Sequence, residues 1–268
     1  TNSQDLVFKA NNTEWLRLTK SGNLLGLWYS TSLWDLTDSL VIGSGAGFWM
    51  TGSYNTALGG NRPWYNMSGS YNLAIGWNGA WYNMAGIYNS AFGGVTAGAS
   101  MNGVNNTAIG WNSAWSNMSG SYNSALGWYN AWRFMTGSYN TALAGDRAWA
   151  NMEGSYNAAI GWYYAWSSMN GISNSALGWA YAWYRMNGTY NTAIGGAFAW
   201  YNMSGAYNVA IGTYAWSGMS SGSENLYLGI AAIGNAGQSN QFSIGNVIYG
   251  SGMGAAGATN GMVGIGTI

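Results

Sequence analysis

Tyr190-Asn-Thr-Ala-Ile-Gly195 decides the reading of this chain, because it returns at a fixed interval. An alanine, an apolar residue and, with one exception, a glycine recur at Ala57, Ala74, Ala91, Ala108, Ala125, Ala142, Ala159, Ala176, Ala193 and Ala210, every step being seventeen residues. A degenerate eleventh copy, Tyr227-Leu-Gly229, keeps the phase, and Val41-Ile-Gly43 reads as a first copy displaced by one residue. A short period held without drift marks a repeat architecture, in which each unit buries its apolar face against its neighbours.

With the motif alanine as position 0, position 10 is Met in nine successive copies from Met67 to Met203, and position 12 is Gly in the same nine from Gly69 to Gly205. Position 15 is Asn at Asn72, Asn89, Asn106, Asn123, Asn140, Asn157, Asn174, Asn191, Asn208 and Asn225. Position 7 is Trp in eight copies from Trp64 to Trp200, with Gly98 in its place in one, and position 3 alternates between Gly and Trp77, Trp111, Trp128, Trp162 and Trp179. Seventeen residues are too few for a helix pair with two turns, and two glycines per unit weaken helices. The segment Tyr-Asn-Thr-Ala-Ile suits one short strand and Ala-Trp-Tyr, at positions 6 to 8, another. The glycine at position 2 and the run around positions 9 to 12 are expected to supply the bends, since glycine tolerates positive φ. The expected fold is all-β, a parallel β-solenoid (β-roll) of about eleven 17-residue coils. Coils stacked ~4.8 Å apart make a rod of roughly 50 Å.

Strand alternation puts Ile or Leu at position 1 on one face and Ala with Asn on the other, and the Asn column is expected to form an amide ladder. A coil this short encloses little, so the Ala–Asn face is expected to pack on another chain and the protein to be a homo-oligomer. The Trp column at position 7 is expected to pack beside the Met column at position 10, between coils or between subunits.

The flanks differ from the array. Residues 1–42 hold seven of the fourteen charges and read as an N-terminal β cap: a strand at Asp5–Ala10, a turn at Asn11-Asn12, a strand at Glu14–Thr19 and a turn at Ser21-Gly22-Asn23. Residues 43–229 form the solenoid and 230–268 a C-terminal β and loop segment, strand-like at Gln241–Gly250 and loop-like over Ser251–Gly261.

Charged residues are 5% of the chain, against roughly 25% in ordinary globular proteins, and the net charge is zero. No basic patch therefore points to nucleic acid or an anionic membrane. Cysteine and histidine are both absent, which removes disulfides, thiolate metal sites, the usual general base and the commonest metal ligand. No apolar run approaches the roughly 18 residues of a spanning helix, and no signal peptide opens the sequence. So few titrating groups predict unfolding that depends weakly on pH and salt.

The unit Gly110-Trp-Asn-Ser-Ala-Trp-Ser-Asn-Met-Ser-Gly-Ser-Tyr-Asn-Ser-Ala-Leu126 resembles the repeats of phage tail-fibre and bacterial adhesin-like proteins, and is similar to the heads of trimeric autotransporter adhesins. The flanks agree: Asp5–Thr13 with Leu16–Asn23 looks like the strand pair of such fibres. Ser243–Gly250 and Val263–Thr267 look like segments that precede an intramolecular chaperone domain. The resemblance covers nearly the whole chain and implies a homotrimer at the cell surface or on a virion tail. The departure is the Trp and Met content, where the family has Tyr, Leu or Thr.

Chemistry has little to stand on. Asp146 and Glu153 form the one conceivable carboxylate pair, as in a glycosidase, but a solvated charge beside Arg147 accounts for Asp146. The Asp-rich nonapeptide of calcium β-rolls is absent, and the Gly-x-Gly sequences near the C-terminus lack a strand–helix context. Sequons such as Asn66-Met-Ser68 and Asn202-Met-Ser204 recur because the unit recurs. The expectation is a non-enzymatic, cofactor-free structural fibre segment that spaces or presents a tip. The alternatives are an adhesin whose Trp77, Trp111, Trp128, Trp162 and Trp179 stack on a cell-surface polysaccharide or touch a receptor, and a self-assembling extracellular filament.

Overall fold

The structure is a computed structural model that describes residues 5–10, 13–18, 24–26, 36–43, 49–60, 64–78, 80–95, 98–112, 115–196, 200–213, 216–217, 221–230, 237–245, 248–251 and 262–265. The expected turns at Asn11-Asn12 and Ser21-Gly22-Asn23 and the loop over 252–261 lie outside the described residues. Among the described residues there is no helix, and the chain is a parallel β-solenoid of about ten turns. It divides into two units, residues 1–130 and 131–268.

In the first unit the strands Thr56–Gly60, Leu73–Trp77, Ser90–Gly94, Thr107–Trp111 and Ser124–Trp128 pair in parallel, alanine opposite alanine. The strands Trp64–Met67, Trp81–Met84, Gly98–Met101 and Trp115–Met118 make a second parallel ladder, methionine opposite methionine. Val41 pairs with Ala57, so the displaced copy is a coil. Ahead of it, Leu6–Ala10, Thr13–Leu18 and Leu24–Gly26 form an antiparallel meander whose last strand pairs in parallel with Leu40–Ile42.

The second unit repeats the pattern. Thr141–Ala144, Ala158–Trp162, Ser175–Trp179, Thr192–Gly195, Val209–Ile211 and Leu226–Leu228 form one ladder. Trp132–Met135, Trp149–Met152, Trp166–Met169, Trp183–Met186, Trp200–Met203 and Trp216–Ser217 form the other. Gln241–Ile244 continues the first ladder in parallel, and Ile248–Ser251 and Met262–Ile265 follow antiparallel.

Each coil closes its own core. Alanines at position 0 and asparagines at position 15 point inward from the first strand, and position 8 and the methionines at position 10 point inward from the second; nine methionines from Met67 to Met203 have no exposed surface. The Ala–Asn face is therefore the interior of the coil and not a contact with another chain. The lumen between two short strands is thin, so small Ala opposite long, flexible Met fills it. Met169→Ala is expected to cost about 2–5 kcal/mol in urea unfolding and Met169→Leu less than about 1.5 kcal/mol.

Gly43 and Gly229 at position 2 and Gly52 at position 12 have positive φ, of 124°, 121° and 92°, but most glycines of the array serve for space and not for bending. Gly76 and Gly178 lie inside strands. A Cβ at Gly76 would stand 2.5 Å from the Ala80 Cβ, and one at Gly178 2.6 Å from the Tyr184 ring. That ring crosses the lumen so that the Tyr184 hydroxyl donates to the Leu177 carbonyl at 2.8 Å. The one departure from glycine, Ala144, packs with Ala131, Ala148 and Ala165 in a coil that carries Ala150 where others carry tyrosine. At position 12 the neighbouring coil's backbone arrives: a Cβ on Gly171 would lie 1.6 Å from the Gly188 carbonyl oxygen. The left-handed backbone is adopted instead by side-chain-bearing residues. Position 14 has φ of 56–59° from Tyr71 through Tyr88, Asn105, Tyr122, Tyr139, Tyr156, Ser173 and Tyr190 to Tyr207. Positions 4 and 5 do the same at the other bend, at Asn78, Asn112, Tyr129, Asn130, Tyr163 and Tyr164. Non-glycine residues there are strained, and ring stacking of Tyr139 on Tyr156, 4.8 Å between centroids, offsets part of that cost.

Candidate interaction surface

The asparagine column is a ladder of amides, addressed mainly to the backbone. Asn72 Oδ1 accepts the Asn89 N–H at 2.9 Å, and Asn72 Nδ2 donates to the Gly86 carbonyl at 2.9 Å. Asn55, Asn89, Asn106, Asn157, Asn174, Asn191 and Asn208 reach the glycine carbonyl of the next coil in the same way, at 2.8–2.9 Å. Asn123 and Asn140 are equally buried; the Asn123 N–H donates to Asn106 Oδ1 and Asn140 Nδ2 to the Gly154 carbonyl. Direct amide–amide bonds join Asn191 to Asn174 and Asn208 to Asn191. The column has no ligand-facing surface.

The surface belongs to the residues that point outward. Position 1 carries an exposed aliphatic column, including Ile109 and Leu126 in the first unit and Ile160, Leu177, Ile194 and Ile211 in the second. In the first unit this column, the backbone of the position 2 glycines and Trp77, Trp111 and Trp128 enclose a groove of about 910 Å³. Its lining consists of Ile, Leu, Phe, Gly and Trp, so the indole N–H is the one polar side-chain group present. A saccharide in this groove would leave its hydroxyls without partners, which disfavours stacking of sugar on Trp77, Trp111 and Trp128 along the groove.

The Gly–Trp alternation at position 3 has a steric cause. A Cβ on Gly60 would meet the Trp77 ring at 2.4 Å, and one on Gly94 the Trp111 ring at 2.8 Å, because each indole leans onto the preceding coil. In the second unit Trp162 leans on Gly145 in the same way, and Trp179 stacks on Trp162 with centroids 5.9 Å apart. Trp77 and Trp179, each followed by a glycine in the next coil, are the most exposed of the five, at 63%.

At position 7 the described side chains, Trp149, Trp166 and Trp183, stack at 4.9 Å on the outside. Those of Trp64, Trp81, Trp115, Trp132 and Trp200 lie outside the described residues. The packing of Trp against Met is thus overturned: three residues along a strand reverse the face, leaving Met inside and Trp outside. In the second unit Trp162, Tyr163, Tyr164 and Trp166 turn a corner between the two sheets, with Tyr181 stacked on Tyr164 at 5.1 Å. Arg147 lies over the Tyr164 ring and donates to its hydroxyl. Sequence periodicity showed these columns but not the corner, because the left-handed turn at Tyr163 and Tyr164 carries no glycine.

Asp146 and Glu153 stand at opposite ends of the strand Trp149–Met152. Among the described residues no group of three or more His, Cys, Asp or Glu could hold a metal ion. No helix there is long and apolar enough to cross a membrane.

Two buried groups titrate far from their ordinary range. Burial in the lumen lowers the Arg133 guanidinium to about 9 and raises the Tyr227 phenol to about 12. Tyr227 keeps its proton in the folded chain, so its contribution is complete below the ordinary phenol pKa and is lost as pH rises towards 12. Arg133 has the opposite sense: its burial burdens the fold fully below about pH 9 and eases above it. Between pH 5 and 8 neither group changes charge, so the urea midpoint is expected to stay flat there. Arg133→Met is expected to raise stability at pH 7, by about 1–4 kcal/mol, as when buried charge is replaced by apolar volume. A lower midpoint would assign Arg133 a net stabilising role.

No family model, curated protein or solved structure matches the chain.

Proposed function

We propose that the chain is a non-enzymatic structural segment of an extracellular fibre, on a virion tail or a bacterial surface, in which identical chains associate side by side to space and present a binding tip. The observation that carries this reading is the aliphatic column at position 1, exposed in both units while asparagine is buried beneath it. An apolar stripe of this length on a chain with 5% charged residues calls for a cover, and a second copy supplies one of matching chemistry. The resemblance to trimeric adhesins makes the homotrimer the expected order. Light scattering at two concentrations tests it: a constant mass of three chains is the expected result, and Ile160→Lys with Leu177→Lys should reduce it to one. A constant mass of one chain would overturn the reading, and a mass that climbs with concentration would favour an open filament.

A second reading, an adhesin site for saccharide, is favoured at the corner of the second unit. There the exposed rings of Tyr163 and Tyr181 and the half-buried ring of Tyr164 come with polar tips, their hydroxyls and the Arg147 guanidinium, a combination that sugar recognition needs. Loss of glycan-array signal in Trp179→Ala and Tyr181→Ala is the expected result of that reading.

A further inference from the structure

We infer that the tyrosine column at position 14 is an oxidative cross-linking site, in which stacked phenols of successive coils join as dityrosine and clamp coil to coil. The pairs lie within one chain, so the inference stands whatever the number of chains that associate. In the first unit Tyr54 stacks on Tyr71 with centroids 4.7 Å apart and planes at 7°, and Tyr71 on Tyr88 at 4.9 Å. In the second unit Tyr139 stacks on Tyr156 at 4.8 Å and 2°, and Tyr190 on Tyr207 at 5.0 Å and 9°. All seven residues have φ of 56–59°, so the backbone delivers ring onto ring in one repeated geometry. Each keeps 46–58% of its surface exposed, within reach of an oxidant. The softer targets are withdrawn: cysteine is absent, and the ten methionines from Met50 to Met203 have no exposed surface.

The reaction needs a one-electron oxidant, of the class formed when a haem peroxidase reacts with hydrogen peroxide. Each phenol of a pair gives up one electron and one proton. The two radicals join by a carbon–carbon bond between ring carbons ortho to the hydroxyls, and the hydrogens on those carbons pass to the oxygens as protons, restoring both phenols. The pair loses two electrons and two protons in all, which turn one hydrogen peroxide into two waters. Successive coils set the two Cα atoms ~4.8 Å apart, and rotation of the exposed side chains carries the ortho carbons from stacking contact to bonding. The sequence also sets which pairs can join. Asn105 and Ser173 interrupt the column, so Tyr156 and Tyr190 stand two coils apart, ~9.6 Å along the axis, and are not expected to couple.

The test treats the full chain, mixed from isotopically heavy and light preparations, with a haem peroxidase and hydrogen peroxide, and maps the tryptic peptides by mass spectrometry. Tyr139 is the one tyrosine of peptide 134–147, and Tyr156 lies on peptide 148–185. The two peptides are expected joined, two hydrogens lighter than their sum, through Tyr139 and Tyr156 and within one isotopic label. Tyr156→Phe keeps a ring in the stack and removes its phenol. It should lower that join about tenfold or more, while Tyr190 and Tyr207 still couple. The joined parent should also unfold at higher urea than the untreated chain, because the bond closes a loop in the unfolded state. Joins that fall mainly between heavy and light chains, or as often between Tyr156 and Tyr190 as within the stacked pairs, overturn the inference. So does a pattern of joins unchanged when the chain is oxidised in urea, or oxidation that ends on Trp162 and Trp179 with Tyr139 recovered unjoined. None of these outcomes bears on the fibre reading, which the mass of the unoxidised protein decides.

Discussion

Asn174→Ala is expected to cost about 1–3 kcal/mol, because it orphans the buried Asn191 N–H and leaves the Gly188 carbonyl with only the longer bond from the Ile172 N–H, at 3.3 Å. Asn174 Oδ1 accepts the Asn191 N–H at 3.0 Å and Asn174 Nδ2 donates to the Gly188 carbonyl at 2.8 Å. Neither group has water within reach, since Asn174 and Asn191 are fully buried. The loss is therefore a desolvation penalty on the neighbouring coil and not one bond's net worth. Asn174→Asp separates the two roles: the acceptor stays, and the donor survives only while the carboxyl holds a proton. Burial raises that carboxyl's pKa, so the variant should be close to the parent at low pH and lose stability as pH rises through the folded value. Urea midpoints from pH 3 to 8 check both, and an Asn174→Ala cost below about 1 kcal/mol would mean that the coils relax enough to re-pair the orphan.

Gly171→Ala is expected to cost about 4 kcal/mol or more, the exceptional range for a point substitution. The added methyl would fall 1.6 Å from the Gly188 carbonyl oxygen, an atom of the backbone that also receives the Asn174 amide. Moving it away breaks the ladder at the same point, so neither response is cheap. Gly145→Ala is the contrast. Its methyl would meet the Trp162 ring at 2.6 Å, and that exposed ring can swing outward, so its cost should stay below about 1.5 kcal/mol. Thermal melts of the two variants side by side distinguish backbone collision from side-chain crowding; equal losses would contradict it.

The period, the pairing of Val41 with Ala57 and the shared face of Ala and Asn were legible in the sequence because strand alternation and a strict repeat leave no other register. Which face was inside was not legible. Ile109 is more apolar than Asn106, yet Ile109 is exposed and Asn106 buried. The lumen is too narrow for two aliphatic columns, and the arc at position 12 has carbonyls and amides that an inward asparagine can pair. Size and backbone satisfaction there outweigh hydropathy. The bends were misread for a related reason: glycine signals either positive φ or a lack of room, and the sequence alone does not separate the two. Tyr156 and Tyr190 at left-handed φ carried no recognisable turn signal. The interaction surface was half legible, since the Trp columns at positions 3 and 7 were plain while their orientation depended on where each strand begins.

The asparagine ladder also has a direction. In both units the inward amides reach the coil that follows with oxygen and nitrogen, as Asn72 does to Asn89 and Gly86, and the nitrogens of Asn191, Asn208 and Asn225 also touch the amide oxygen before them. Each coil is thus the template for its successor, and the address reads the same from one coil to the next. The chain is in this sense a ruler with one kind of graduation. Excision or duplication of a whole seventeen-residue unit leaves every address valid, and the change of a single residue in that count leaves every later one misdirected. Length can vary freely in steps of one coil, ~4.8 Å, and in no smaller step.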